Sequence, residues 1–238
     1  MVPQHKPFPG AKPVIILGMH RSGTSCLAGS LEQAGLHLGQ VNTKAPHNAK
    51  GNRENRDIMD LNDTVLSAVG GSWDNPPSSS VPWSADQIAA RDALIATYPT
   101  NKVWGFKEPR TLFTLEGWLD ALPDARLVGT FRHPLAVAQS LSTRNKFSIE
   151  QGMDLWMAYN QRLLQISQRR EVSMMCFDWT PQHYSRALGD LSIRLGLTPP
   201  STGFDFFETP LRRNSVIQDQ ELPSGVRDLY LAMEAIID

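Results

Sequence analysis

Residues Val14 to Ser30, VIILGMHRSGTSCLAGS, constrain this chain more than any other stretch. Val14 to Leu17 are apolar in unbroken succession, the pattern of a short buried strand. A turn follows, Gly18-Met19-His20-Arg21-Ser22-Gly23. From Thr24 to Ala34 the spacing of Leu27, Leu31 and Ala34 predicts one face of a helix. Strand, glycine-bounded loop and helix together make an anion cradle. The first N–H groups of a helix have no internal acceptors and point at whatever lies ahead of them. Glycine at both ends of the loop lets the backbone approach an oxyanion closely. Arg21 adds a fixed charge with a planar fork of donors, and Thr24 and Ser25 add hydroxyls. A tight turn alone does not require these three residues, so the stretch predicts a phosphate cradle.

The cradle departs from the nucleotide P-loop, which reads GxxxxGK followed by Ser or Thr. The spacing of Gly18 and Gly23 is kept, but Thr24 stands where the lysine belongs, and the cation sits inside the loop at Arg21. A kinase needs that lysine on its β- and γ-phosphates and a magnesium ligand nearby. Here the third predicted strand ends in Phe131-Arg132, with no aspartate. A P-loop-type small-molecule kinase is therefore a disfavoured rival. A non-catalytic nucleotide-binding protein on the same fold is a second rival.

Further strands are predicted at Lys102–Phe106, Arg126–Phe131 and Val172–Phe177. Helices are predicted at Arg53–Val69, Ser84–Tyr98 and Leu115–Leu122, from Pro134, from Ser148 to about Gln168, from Thr180 to about Leu195, and at the C-terminal end. Ser84 with Gln87, and Ser148 with Gln151, have capping-box spacing. Strands alternating with helices imply an α/β fold, three layers with a central, mainly parallel sheet. The Pro-rich residues 1–13 read as a loose arm and 14–238 as a single α/β domain, with an inserted helical region at about 36–100. Ser72 to Pro82 reads as a connector more readily than as a lid.

Net charge is −1, so no global field draws the chain to nucleic acid or a membrane, and cations for a polyanion must cluster locally. No apolar stretch approaches membrane-spanning length, so no membrane insertion is expected, and the N-terminus lacks the pattern of a signal peptide. Cys26 and Cys176 fall in a predicted helix and strand, as small buried apolar residues would. No Cys/His cluster has zinc spacing, so no metal is expected. A reducing cytoplasm is the simplest compartment.

Met19 to Ser25 resembles the loop with which sulfotransferases hold the 5′-phosphosulfate end of 3′-phosphoadenosine 5′-phosphosulfate (PAPS). Many bacterial members carry arginine at the position of Arg21. Phe131-Arg132-His133-Pro134-Leu135-Ala136-Val137-Ala138-Gln139-Ser140 resembles the family's 3′-phosphate motif, an arginine after a strand and a serine eight residues later. The guanidinium offers charge-assisted, bidentate bonds, and the hydroxyl closes the other side of the phosphate. The resemblance implies a P-loop-kinase-like fold and transfer of a sulfuryl group from PAPS to a hydroxyl or amine acceptor, releasing 3′-phosphoadenosine 5′-phosphate (PAP). Arg21, Ser22, Gly23, Thr24 and Ser25 then hold the 5′ end, and Arg132 and Ser140 hold the 3′-phosphate. Lys107, at a strand end where the family commonly has lysine, assists the transferring group. The acceptor is expected to be a small molecule or glycan, not nucleic acid.

Three residues are candidates for the general base. Glu54, in Gly51-Asn52-Arg53-Glu54, resembles a Gly-x-x-Glu element of bacterial sulfotransferases and is the provisional choice. Glu108 adjoins Lys107, which is expected to lower its pKa. His20 lies inside the anion loop and is expected to shape it. The family's alternative strand end, Lys-Thr-His, reads Lys107-Glu108-Pro109 here, so a histidine base at that point does not carry over. Arg212 and Arg213 are weaker candidates for the 3′-phosphate. Trp73, Trp83 and Trp104 are candidates for adenine stacking or an acceptor pocket, weighed against a place in the core.

Overall fold

The computed structural model describes residues 12–44, 50–206 and 221–237. Strands β1 (Val14–Leu17), β2 (Gly105–Lys107), β3 (Arg126–Phe131) and β4 (Val172–Cys176) form one parallel sheet in the order β2-β1-β3-β4. Between β1 and β2 lie α1 (Thr24–Gln33), α2 (Arg56–Ser67) and α3 (Ala85–Ile95). Helix α4 (Thr111–Ala121) joins β2 to β3, and α5 (Pro134–Asn145) and α6 (Ile149–Ser167) join β3 to β4. Helices α7 (Pro181–Arg194) and α8 (Ser224–Glu234) follow. After β1 the chain adds β2 on one side and then β3 on the other. That reversal opens a crevice at the C-terminal ends of β1 and β3, where parallel sheets bind ligands.

Side chains alternate across the sheet, so each strand feeds two cores. Ile15, Leu17, Phe106, Leu127 and Phe131 pack with Leu61, Trp118, Leu141, Trp156 and Met233, which belong to α2, α4, α5, α6 and α8. Val14, Ile16, Val128 and Met175 pack with Leu27, Leu31, Leu188 and Leu191 of α1 and α7. Both faces are covered, which is why the strands read as continuous apolar runs. Each fully buried aliphatic side chain of this kind contributes about 1.5–3 kcal/mol.

Both predicted capping boxes are formed, Ser84 with Gln87 and Ser148 with Gln151. Three elements start three or four residues away from the sequence expectation, and α3 ends at Ile95 where Tyr98 was expected. Helix α2 starts at Arg56 because the Asn55 side chain accepts from the N–H groups of Asp57 and Ile58, and Arg53 (φ 56°) is left-handed. Helix α4 starts earlier than Leu115, since Thr111 N–H already donates to Glu108 O and Leu112 N–H to Pro109 O. Strand β2 begins at Gly105, not Lys102, because Trp104 makes only an isolated bridge to His37. Most of the expected N-terminal arm, and Arg212 and Arg213, lie outside the described residues. Both cysteines are buried and unpaired with each other. Among the described residues no helix is long and apolar enough to cross a membrane, and no group of His, Cys, Asp and Glu could hold a metal ion.

Candidate functional site

After β1 the backbone turns through Gly18 (φ 144°), Arg21 (φ 68°) and Gly23 (φ 85°). A Cβ at Gly18 would stand 2.5 Å from the carbonyl oxygen of Thr130, and one at Gly23 would enter the ring of Phe177. Crowding by β3 and the end of β4 therefore demands glycine at both positions. Arg21 holds a left-handed conformation that costs of order 1–3 kcal/mol, and its side chain is used: Nε donates to Ser140 Oγ at 2.7 Å. The two sequence motifs, 119 residues apart, thus meet through one hydrogen bond. The first internal bond of α1 runs from Leu27 N–H to Gly23 O, so the N–H groups before it have no helical acceptor.

Arg132 leaves β3 and is almost wholly buried. Its Nε lies 3.5 Å from Asp178 Oδ1, and its guanidinium carbon lies 5.3 Å from the centroid of the Phe177 ring. Asp178 Oδ2 also accepts from His133 N–H at 2.6 Å, and Trp156 Nε1–H donates to Arg132 O at 2.9 Å. Sequence reasoning missed Phe177 and Asp178. Their position just past an apolar strand end, next to β3 in the sheet, was the available signal.

A cavity of about 260 Å³ opens beside the loop, lined among others by Arg21, Thr24, Ser25, Glu54, Lys107 and Arg110. Lys107 Nζ donates to Glu54 Oε1 at 2.6 Å and to Ser25 Oγ at 3.4 Å, and Ser25 Oγ donates to Asn52 O at 3.0 Å. The provisional base and the strand-end cation are therefore an ion pair across the cavity wall. Ser22, Gly23, Arg132 and Ser140 do not line this cavity. Ser22 is fully buried, its hydroxyl has no hydrogen-bond partner among the described residues, and its carbonyl accepts from Thr130 Oγ1. Ser140 reaches the cavity only through Arg21.

The expectation that Lys107 lowers the pKa of Glu108 is not met. Burial pushes Glu108 up to about 7, against the opposing pull of Arg110. The ammonium of Lys107 is turned to Glu54 instead. Glu108 accepts from Asn62 Nδ2 at 2.7 Å, Arg110 N–H at 3.0 Å and Arg110 Nη1 at 2.5 Å, and it is wholly enclosed. Arg110 also holds Asp63 at 2.5 Å, so Glu108 and Asp63 together fix it at the cavity wall.

Burial, followed by the charges of Arg110, Arg144, Lys107 and Arg21, holds His20 well below the usual histidine pKa, so its imidazole is neutral. Trp73 and Tyr159 meet the ring edge-on at 5.0 and 5.9 Å. The segment Ser72–Pro82 is more than a connector: it carries Trp73 to the cavity, and Tyr159 Oη donates to Trp73 O at 2.7 Å. Trp83 and Trp104 are packed elsewhere, on Trp118 and Tyr98. Arg144, also on the cavity wall, was not anticipated, although it follows Ser140 by one helical turn on the same face.

The model of the Sulfotransferase family matches residues 13–178. The chain belongs to the sulfotransferase family. No protein of curated function matches its sequence. Among solved structures it is similar to the sulfotransferase domain of the Synechococcus PCC 7002 olefin synthase, at 16% identity and TM-score 0.58, over 99% of this chain and 98% of that one. It is also similar to a sulfotransferase from Alicyclobacillus acidocaldarius, at 19% identity and TM-score 0.54, over 95% and 96%. At such identities the likeness concerns the fold, and this sulfotransferase has the P-loop-kinase-like α/β architecture of those neighbours.

Proposed function

We propose that this sulfotransferase moves a sulfuryl group from PAPS to a hydroxyl or amine on a small-molecule or glycan acceptor and releases PAP. The observation that carries the reading is the 2.7 Å bond from Arg21 Nε to Ser140 Oγ, which joins the corner after β1 to the corner after β3. A ligand phosphorylated at both ends needs two such corners in one crevice. The residues present fit such a ligand, because a chain of net charge −1 gathers Arg21, Lys107 and Arg110 around a single cavity.

Arg21, Thr24, Ser25 and the leading N–H groups of α1 bind the 5′ end. Ser22 and Gly23 serve it through the backbone, since the Ser22 hydroxyl is enclosed. Arg132, oriented by Asp178, and Ser140 bind the 3′-phosphate. PAPS supplies an activated S–O bond whose leaving group is the 5′-phosphate. Glu54 takes the proton of the acceptor as the acceptor–sulfur bond forms, and the electron pair of the broken S–O bond departs on the phosphate oxygen. Lys107 neutralises charge on the transferring group.

A thermal-shift comparison tests the reading. PAP raises the melting temperature well above the effect of AMP, because only PAP carries the 3′-phosphate. Arg132→Ala removes the difference. Equal shifts from PAP and AMP in the unaltered protein would overturn the assignment.

A further inference from the structure

Arg144 is the cavity cation for which neither donor corner has a use. It lies in the last turn of α5, four residues after Ser140, and so one turn farther along the face that meets Arg21. The other wall cations outside the anion loop are matched: Lys107 by Glu54, and Arg110 by Glu108 and Asp63. Arg144 makes no ion pair among the described residues. Its Nε donates to the neutral Asn145 Oδ1 at 2.6 Å, and its guanidinium carbon lies 5.6 Å from the centroid of the Trp73 ring. Neither contact cancels the charge.

A half-buried guanidinium without a counter-ion is costly, and buried charges are as a rule paired. Burial and the nearby charge of Arg110 both work against the charged form, with Glu54 opposing them. The negative end of α5 favours a cation in the last turn by about 0.3–1 kcal/mol. That preference is met equally by a side chain in water, so it does not explain why Arg144 faces the cavity. Beside it, Trp73 is stacked on Phe147 at 5.8 Å and 12°, which gives the guanidinium a flat, apolar neighbour. Glu54 lines the same cavity. A cation and an aromatic wall thus stand together within the space where a base would meet its acceptor.

Resting on the donor reading above, we infer that the acceptor carries an oxyanion, a carboxylate or phosphate separate from the group that is sulfated, and that Arg144 binds it with the body of the acceptor against Trp73. The planar fork of arginine suits either anion through paired bonds. The bound anion supplies the counter-charge that Arg144 lacks. It also sets a class of acceptor: hydroxy or amino acids and phosphate esters are accepted over their neutral counterparts.

The test uses the whole chain saturated with PAP, into which 4-hydroxybenzoate, its methyl ester, phenyl phosphate and phenol are titrated by thermal shift. At least one of the two anions raises the melting temperature further, while the ester and phenol do not. The stronger anion names the group. Arg144→Gln weakens that anion on the order of ten- to a hundredfold and leaves the response to PAP as it was. Arg144→Lys keeps part of the anion response and serves in its place if the glutamine variant does not fold. Equal responses to acid and ester overturn the inference, as does the absence of any anion response, or an anion response that survives Arg144→Gln. Loss of PAP binding in Arg144→Gln overturns it too, since the arginine then serves the donor. If PAP stabilises the unaltered protein no better than AMP, the donor reading itself has failed, and the inference falls with it for that separate reason.

Discussion

At the scale of single residues, two carboxylates separated by fifty-four positions have exchanged the characters their neighbours suggest. Glu108 follows a lysine in sequence yet is held as a weak acid by burial, while Glu54, remote from any lysine strand end in sequence, is the one that pairs with Lys107. Replacing Glu54 by Gln keeps the shape of the pair and removes the proton acceptor. Turnover is expected to fall about 10²–10⁴-fold with PAP affinity little changed, as steady-state rates and a PAP titration would register. Undiminished turnover would move the base elsewhere. For Glu108 the sign follows from its direction of shift. The folded chain holds the proton up to about pH 7, whereas a free carboxyl releases it near 4.5. Between those values the folded state binds more protons, so its stability falls as pH rises, by at most about 1.4 kcal/mol per pH unit. Below the lower value the contribution is constant. Glu108→Gln flattens this fall, which denaturant unfolding at a series of pH values would detect; parallel profiles for the two proteins would refute it.

At the scale of elements, the loop between β1 and α1 is set by what surrounds it as much as by its own residues. Gly18 lies under the Thr130 carbonyl and has φ 144°, so Gly18→Ala introduces both a collision and a strained backbone, costing roughly 1–3 kcal/mol. Such a variant is expected to lose its response to PAP while still melting cooperatively, because the loop is displaced before the sheet is. A melting curve with and without PAP separates the two effects. Helix α5 has a comparable role. Its Pro134 start comes two residues after Arg132, with His133 as the N-cap, and one face then presents Ser140 to Arg21 and Arg144 to the cavity.

At the scale of the whole molecule, strand order makes one site from distant segments. Because β1 lies between β2 and β3, the loops that follow these strands share one end of the sheet, and Lys107, Arg21 and Arg132 leave from adjacent positions. A ligand spanning the β1 and β3 corners binds only the folded chain. PAP at a hundred times its dissociation constant is worth about 2.7 kcal/mol, or roughly 5–10 °C for a chain of this size. The shift shrinks with added salt, since it draws on a local cluster of cations and not on net charge.

The amino-acid sequence by itself determined the alternation of strands and helices, the glycine-bounded cradle, both capping boxes and the two motifs with their arginines. Each of these is local: a run of apolar residues, a cap three residues from its partner, a cation at the end of a strand. Tertiary structure alone decided that Lys107 meets Glu54 and not Glu108, that Phe177 and Asp178 hold Arg132, and that Trp73 and Arg144 wall the cavity. Those pairings join segments far apart in the chain, and they depend on which strand lies beside which. The burial that raises the pKa of Glu108 likewise belongs to no single segment, because desolvation comes into being only when the packed layers close over the side chain.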